Sequence, residues 1–154
     1  DIEIGLFSDA DFAGDRGTMR STSGVFLALY GAHSFFPLSP QSKKQTAVSH
    51  STVEAEIVAA DHAIHMTGLP CLPLWEKLLD RQCSLEVYQD NQATARIMTT
   101  GRAPTLRHIG RVHLVSVAWF NEGSPLNILR CRRVHLFRTW SEPSLSLTVT
   151  DYRW

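Results

Sequence analysis

Three short stretches constrain this chain more than anything else in it: Ser8-Asp9-Ala10-Asp11, Ser51-Thr52-Val53-Glu54-Ala55-Glu56 and Val87-Tyr88-Gln89-Asp90-Asn91-Gln92. Each sets a carboxylate at the end of a strand-like run or inside an amphipathic helical one. Buried carboxylates without partners are costly and repel one another, so a fold that gathers several usually does so to hold a divalent cation. Whether the three stretches can meet depends on the pattern around them.

Ile2, Ile4 and Leu6 alternate with Glu3, Gly5 and Phe7, the period of a half-buried strand that ends at Ser8-Asp9-Ala10-Asp11. Ala13 to Gly17 reads as a loop. Thr22 to Tyr30 is a second strand, Gly31-Ala32 a tight turn, and His33 to Phe36 a third strand. The three form an antiparallel meander. Pro37 and Pro40 are expected to end the third strand and open a loop carrying Lys43 and Lys44.

Ser51 followed three residues later by Glu54 is a capping box, and Val53, Ile57, Ala60 and Ile64 form an apolar helical stripe behind it. Gly68 and Pro70 end or kink this helix, and residues 72–79 resume it. Ser84 to Gln89 reads as a strand, Gln92 to Thr99 as a short helix and Ile109 to Glu122 as a longer one. Beyond Gly123 the pattern weakens. Asn127-Ile128-Leu129 and Val134 to Phe137 are strand-like, with Arg130-Cys131-Arg132-Arg133 interrupting them. Ser141 to Trp154 has no clear period. Three strands, a helix, a strand and further helices make an α/β plan. If the strand ending at Asp90 lies parallel beside the first, Asp9 and Asp90 emerge together at the carboxyl ends, where open α/β sheets place their sites.

Helical geometry separates the two glutamates. Glu54 occupies the box position whose side chain reaches back to the cap residue's backbone N–H, a structural task. Glu56 lies three residues after Val53 and four before Ala60, on the stripe that faces the sheet. Asp9 is nearer the regular strand than Asp11, which can cap the following turn. Asp90 can serve as a site acid or as the N-cap of the next helix.

Composition narrows the class. At 154 residues the chain suits one domain, with no apolar run near the roughly 20 residues of a membrane span and no basic-then-apolar leader. It opens at once on a strand, which points to a fragment of something longer. Cys71, Cys83 and Cys131 are odd in number and lack Cys-x-x-Cys spacing, which argues against a disulfide framework or structural zinc and for a reducing compartment. The formal charge is zero, yet residues 102–138 carry seven arginines against one acid, while the acids concentrate upstream. An acidic cluster beside a basic face suits a nucleic-acid enzyme. His62/His65 and His108/His113 have no evident third zinc ligand and read as surface or core residues.

Six motifs follow in order: Ser8 to Gly14, Ser21 to Gly24, Ser42 to Gln45, Ser51 to Glu56, Asp90 to Gln92 and Arg107 to Ile109. Together they resemble the ribonuclease H domain of copia-type retrotransposon Pol polyproteins. The resemblance implies a ribonuclease H-like fold, a five-stranded mixed sheet in which an antiparallel meander joins parallel strands, flanked by helices. It implies Mg²⁺-dependent hydrolysis of the RNA strand of an RNA–DNA hybrid by two ions, with Mn²⁺ able to substitute. Carried over residue by residue, the catalytic metal ligands are Asp9, Glu56 and Asp90. Asp9 is expected to bridge the ions, with Glu56 and Asp90 to either side. Lys43, Lys44, Asn91, Arg107 and Arg111 are the expected nucleic-acid contacts. The implied context is a polyprotein with a reverse transcriptase, inside the cell in a cytoplasmic particle or the nucleus, with no membrane partner.

The resemblance covers residues 1–122 as the domain core. Residues 123–154 diverge, reading as a last strand plus irregular tail without the family's closing Ala-Asp motif, whose aspartate is the fourth ligand. Glu142 and Asp151 occupy about that part of the chain in the wrong context. A degenerate copy that binds nucleic acid without turnover is the first alternative. A sugar-nucleotide transferase using Asp9-Ala10-Asp11 as an Asp-x-Asp metal pair is a more distant one.

Overall fold

The computed structural model describes residues 2–123 and 129–133. In β1 (Ile2–Asp11), Ile4, Leu6, Ser8 and Ala10 are buried on one face, as the alternation requires. β2 (Thr22–Gly31) pairs antiparallel with β1 from Ile2↔Gly31 to Asp11↔Thr22, and β3 (Ser34–Lys44) pairs antiparallel with β2. β4 (Leu85–Gln89) lies parallel to β1 from Ile4↔Leu85 to Phe7↔Tyr88, and β5 (Leu129–Arg133) lies parallel to β4. The sheet order is β3-β2-β1-β4-β5, the expected five-stranded mixed sheet.

Two strands differ from expectation. β3 runs through Pro37 and Pro40 to Lys44, so Lys43 and Lys44 belong to a strand and not to a loop. The prolines are tolerated because β3 is an edge strand. The pairing also shifts between Leu27↔Ser39 and Ala28↔Pro37, leaving Leu38 as the extra residue of a bulge. At the other edge, Arg130-Cys131-Arg132-Arg133 does not interrupt a strand but forms most of β5. Leu129 is buried, Cys131 half-buried and Arg130 exposed, the period of two hidden by the run of arginines. Arg130 Nη1 reaches the buried Glu86 of β4 at 3.5 Å.

α1 (Thr52–Ala63) starts where the capping box places it, with Ser51 Oγ accepting from the Glu54 N–H at 3.1 Å. Ile57, Ala60 and Ile64 are fully buried against the sheet, and Ala55 and Ala59 pack on Ala10. The kink at Gly68 is a π turn over Ile64–Gly68, after which α2 (Leu69–Leu79) continues. A Cβ on Gly68 would stand 2.3 Å from Leu85 Cδ2 and 3.0 Å from Leu6 Cδ2, so glycine lets the backbone rest on the sheet. α3 (Gln92–Thr100) follows β4.

The helix expected over Ile109–Glu122 is broken into α4 (Ile109–Val112) and α5 (Val117–Gly123). Leu114 between them takes a left-handed φ of 59°. The break points His113 inward and buries Val115, whereas a continuous helix would have buried Val112, here 46% exposed. The strand-like Val134 to Phe137, and Glu142 and Asp151, lie outside the described residues.

Candidate metal centre

The sheet register sets the first two acids side by side. Phe7↔Tyr88 is the last paired couple of β1 and β4, and Asp9 and Asp90 each lie two residues beyond it. Parallel strands carry equivalent positions forward together, so both carboxylates emerge at the same end of the sheet. Glu56 reaches them from α1. One carboxylate oxygen from each of Asp9, Glu56 and Asp90 lies within 4.8 Å of the others. Asp9 and Asp90 are exposed while Glu56 is 4% exposed, so the trio spans the boundary between core and solvent.

The electrostatics follow from that placement. Burial, then the charges of Asp9 and Asp90, push the Glu56 carboxyl up to about 7, against the partial relief of hydrogen bonds from Gln89 and the Ala10 backbone. Burial and Asp9 likewise raise Asp90. Gln89 is fully buried and donates from Nε2 to Glu56 Oε2 at 3.4 Å while accepting from the Asn91 N–H through Oε1 at 3.2 Å. Sequence reasoning missed Gln89; its signal was a polar residue closing the strand one step before Asp90. Three carboxylates, one of them raised by its burial and by its two acidic neighbours, form a set of hard oxygen donors. Such donors fit Mg²⁺ or Mn²⁺ rather than a thiophilic metal.

Asp11, the last residue of β1, is not in the trio; its carboxylate lies over the Gly14 backbone. Glu54 is structural, as its box position implies, but does more than cap. It is fully buried, and Oε2 accepts from the His50 N–H at 3.0 Å, one residue before the expected cap residue. His108 Nε2 lies 3.1 Å from Oε2 and His113 Nε2 lies 2.9 Å from Oε1. Burial raises Glu54, yet these hydrogen bonds outweigh it and hold the carboxyl below its ordinary value. An ionised carboxylate only accepts, so each imidazole carries its proton on Nε2. Spacing along the chain did not reveal that both histidines serve one glutamate, 54 and 59 residues away. His62 and His65 do not share a site: His62 Nε2 is buried without a hydrogen-bond partner, and His65 lies against Asp61 and Trp119.

The residues expected on nucleic acid are dispersed. Lys43 is exposed, whereas Lys44 is ion-paired with Asp15, whose carboxyl is held low by Lys44, Thr18 and the Gly17 N–H. Asn91 caps α3, its Oδ1 accepting from Ala93 and Thr94 N–H at 3.0 and 3.1 Å. Arg107 and Arg111 are exposed on the segment that carries His108 and His113. Among the described residues no helix is long and apolar enough to cross a membrane.

Neither a protein-family model nor a curated protein matches the sequence. Solved structures do. The chain is similar to LC11-RNase H1, isolated from compost by a metagenomic approach, with a TM-score of 0.53, 18% identity, and 88% of this chain covering 85% of that one. It is also similar to the RNase H domain of PFV, with a TM-score of 0.56, 16% identity, and 93% of this chain covering 86% of that one. The five-stranded sheet and its helices are thus a ribonuclease H-like fold.

Proposed function

We propose that this chain is a divalent-cation-dependent ribonuclease that hydrolyses the RNA strand of RNA–DNA hybrids, of the copia-type retrotransposon class. The observation that carries this reading is the convergence of Asp9, Glu56 and Asp90 within 4.8 Å at the carboxyl ends of two central parallel strands. Asp9 and Asp90, exposed, would meet the metal from the solvent side, and Glu56 would hold it from the core. Bound Mg²⁺ or Mn²⁺ supplies Lewis-acid activation of water and neutralises charge on the phosphodiester. Gln89 orients Glu56 through its amide. Lys43, Arg107 and Arg111 are available to hybrid phosphates, and Lys44 and Asn91 would contact them only beyond their present bonds to Asp15 and the α3 N-terminus. The motifs that resemble the copia-type domain further suggest a polyprotein with a reverse transcriptase, acting in a cytoplasmic particle or the nucleus.

A non-catalytic binding protein of the same fold is the second reading, because three acids rather than four converge among the described residues. Incubation with a labelled RNA–DNA hybrid in Mg²⁺, Mn²⁺ or EDTA separates them. The nuclease reading predicts cation-dependent cuts in the RNA strand of the hybrid and none in duplex DNA. Hybrid binding without cleavage in either cation would contradict it.

A further inference from the structure

We infer that Glu54, His108 and His113 form a positioning clamp that docks the basic segment around Arg107 and Arg111 on α1, the helix that also carries Glu56, and so governs hybrid binding rather than the chemical step. The inference rests on the proposed function for the identity of the ligand.

Residues 104–113 need such an anchor. They comprise a three-residue 3-10 turn, Pro104–Leu106, and the four-residue α4, with no strand pairing to fix them. Their own apolar attachments are Leu106 and Ile109, which leave Arg107, Gly110 and Arg111 outside. The polar attachment is Glu54, and it is unusually complete. Its two oxygens take one imidazole each, from either end of α4, while the His50 N–H shares Oε2. His113 is as buried as the glutamate it serves, its side chain 2% exposed, whereas His108 is 41% exposed and its ring lies edge-on to that of His50 at 5.9 Å.

Division of the two oxygens between two imidazoles marks hydrogen bonding rather than a shared metal. Glu54 stands two residues before Glu56 on α1. The clamp therefore ties the arginine-bearing segment to the turn of helix that supplies the buried acid of the trio. A carboxylate that only caps a helix needs neither histidine. Two histidines spent on one buried glutamate, with exposed arginines on the intervening and preceding residues, serve to hold those cations in place for a polyanion.

The test uses the full chain with His113→Ala, His113→Gln, which keeps a donor for Glu54, and Arg107→Ala/Arg111→Ala. The clamp predicts that His113→Ala raises KM for the hybrid about tenfold with kcat within about twofold, and weakens hybrid binding in Ca²⁺ or EDTA by a similar factor. It also predicts a shallower dependence of binding on salt, by up to about 2 in log–log slope, matching the double arginine variant. His113→Gln should recover most of the loss. Unchanged KM and salt slope in a folded His113→Ala protein would overturn the clamp. If the parent neither cuts nor binds hybrid, the proposed function fails separately. Hydrogen exchange then judges the clamp: faster exchange of the 106–113 amides in His113→Ala supports it, and parental protection overturns it.

Discussion

Glu54 and Glu56 stand two residues apart on α1, both buried, and their carboxylates enter opposite electrostatic surroundings. Glu54 receives three hydrogen-bond donors and is held below its ordinary pKa; Glu56 faces two other acids and is pushed up to about 7. One helix thus presents a satisfied anion and a strained one within a single turn. The strained one belongs to the candidate metal centre.

Asp9→Asn should remove metal-dependent cleavage while leaving the metal-free fold intact or firmer. The amide relieves the repulsion on Glu56 and Asp90 but offers a poorer metal ligand. Loss of an outer-shell partner costs roughly 10–100-fold, so loss of a ligand should cost more. Hybrid cleavage rates and thermal melts in EDTA check both halves; parental cleavage by the variant would refute the assignment.

The metal-free protein should lose stability through Glu56 as pH rises. A carboxyl whose pKa is higher folded than unfolded binds more protons when folded. Its contribution is therefore favourable below the ordinary value of 4.5 and declines as pH rises to about 7. The loss is on the order of 3 kcal/mol. Glu54 runs the other way and loses stability as pH falls, so the difference between parent and Glu56→Gln isolates the contribution of Glu56. Urea melts from pH 4 to 8 in EDTA should converge at the acid end and favour Glu56→Gln at the neutral end. Saturating Mg²⁺ should narrow the gap.

Ser51→Ala and Glu54→Ala separate capping from the histidine network. Ser51 accepts one helical N–H, so its loss should cost about 1 kcal/mol. Glu54→Ala strands the buried His113 as well, and should cost about 3 kcal/mol. Equal costs in denaturant melts would show that the histidines contribute nothing to Glu54.

Gly68→Ala should destabilise the fold by about 1–3 kcal/mol, because the added methyl meets Leu85 and Leu6 in the core. Metal affinity should be nearly unchanged, since Gly68 lies beyond the end of α1 that carries Glu56.

Local chemistry made much of this legible. The period of Ile2 to Leu6, the Ser51–Glu54 box and the placement of Glu56 on the Ile57 face are properties of neighbouring residues, and the fold keeps them. Long-range features were harder. The proline signal at Pro37 and Pro40 ended β3 too early, because an edge strand can spare the N–H groups a central one cannot. The arginines of β5 masked a strand in which Arg130 is exposed and reaches Glu86. The break at Leu114 accompanies the contact of His113 with Glu54, a partner that spacing within the segment cannot disclose. Asp9 and Asp90 were readable as neighbours only because the parallel pairing of β1 and β4 was inferred first.

Calorimetric titration of Mg²⁺ into the chain tests the shared-cation site most directly. Saturable binding in the parent, lost when Asp9, Glu56 and Asp90 are changed together to Asn, Gln and Asn, is the predicted result. A folded parent that binds no Mg²⁺, or a triple variant with the parental isotherm, would contradict it.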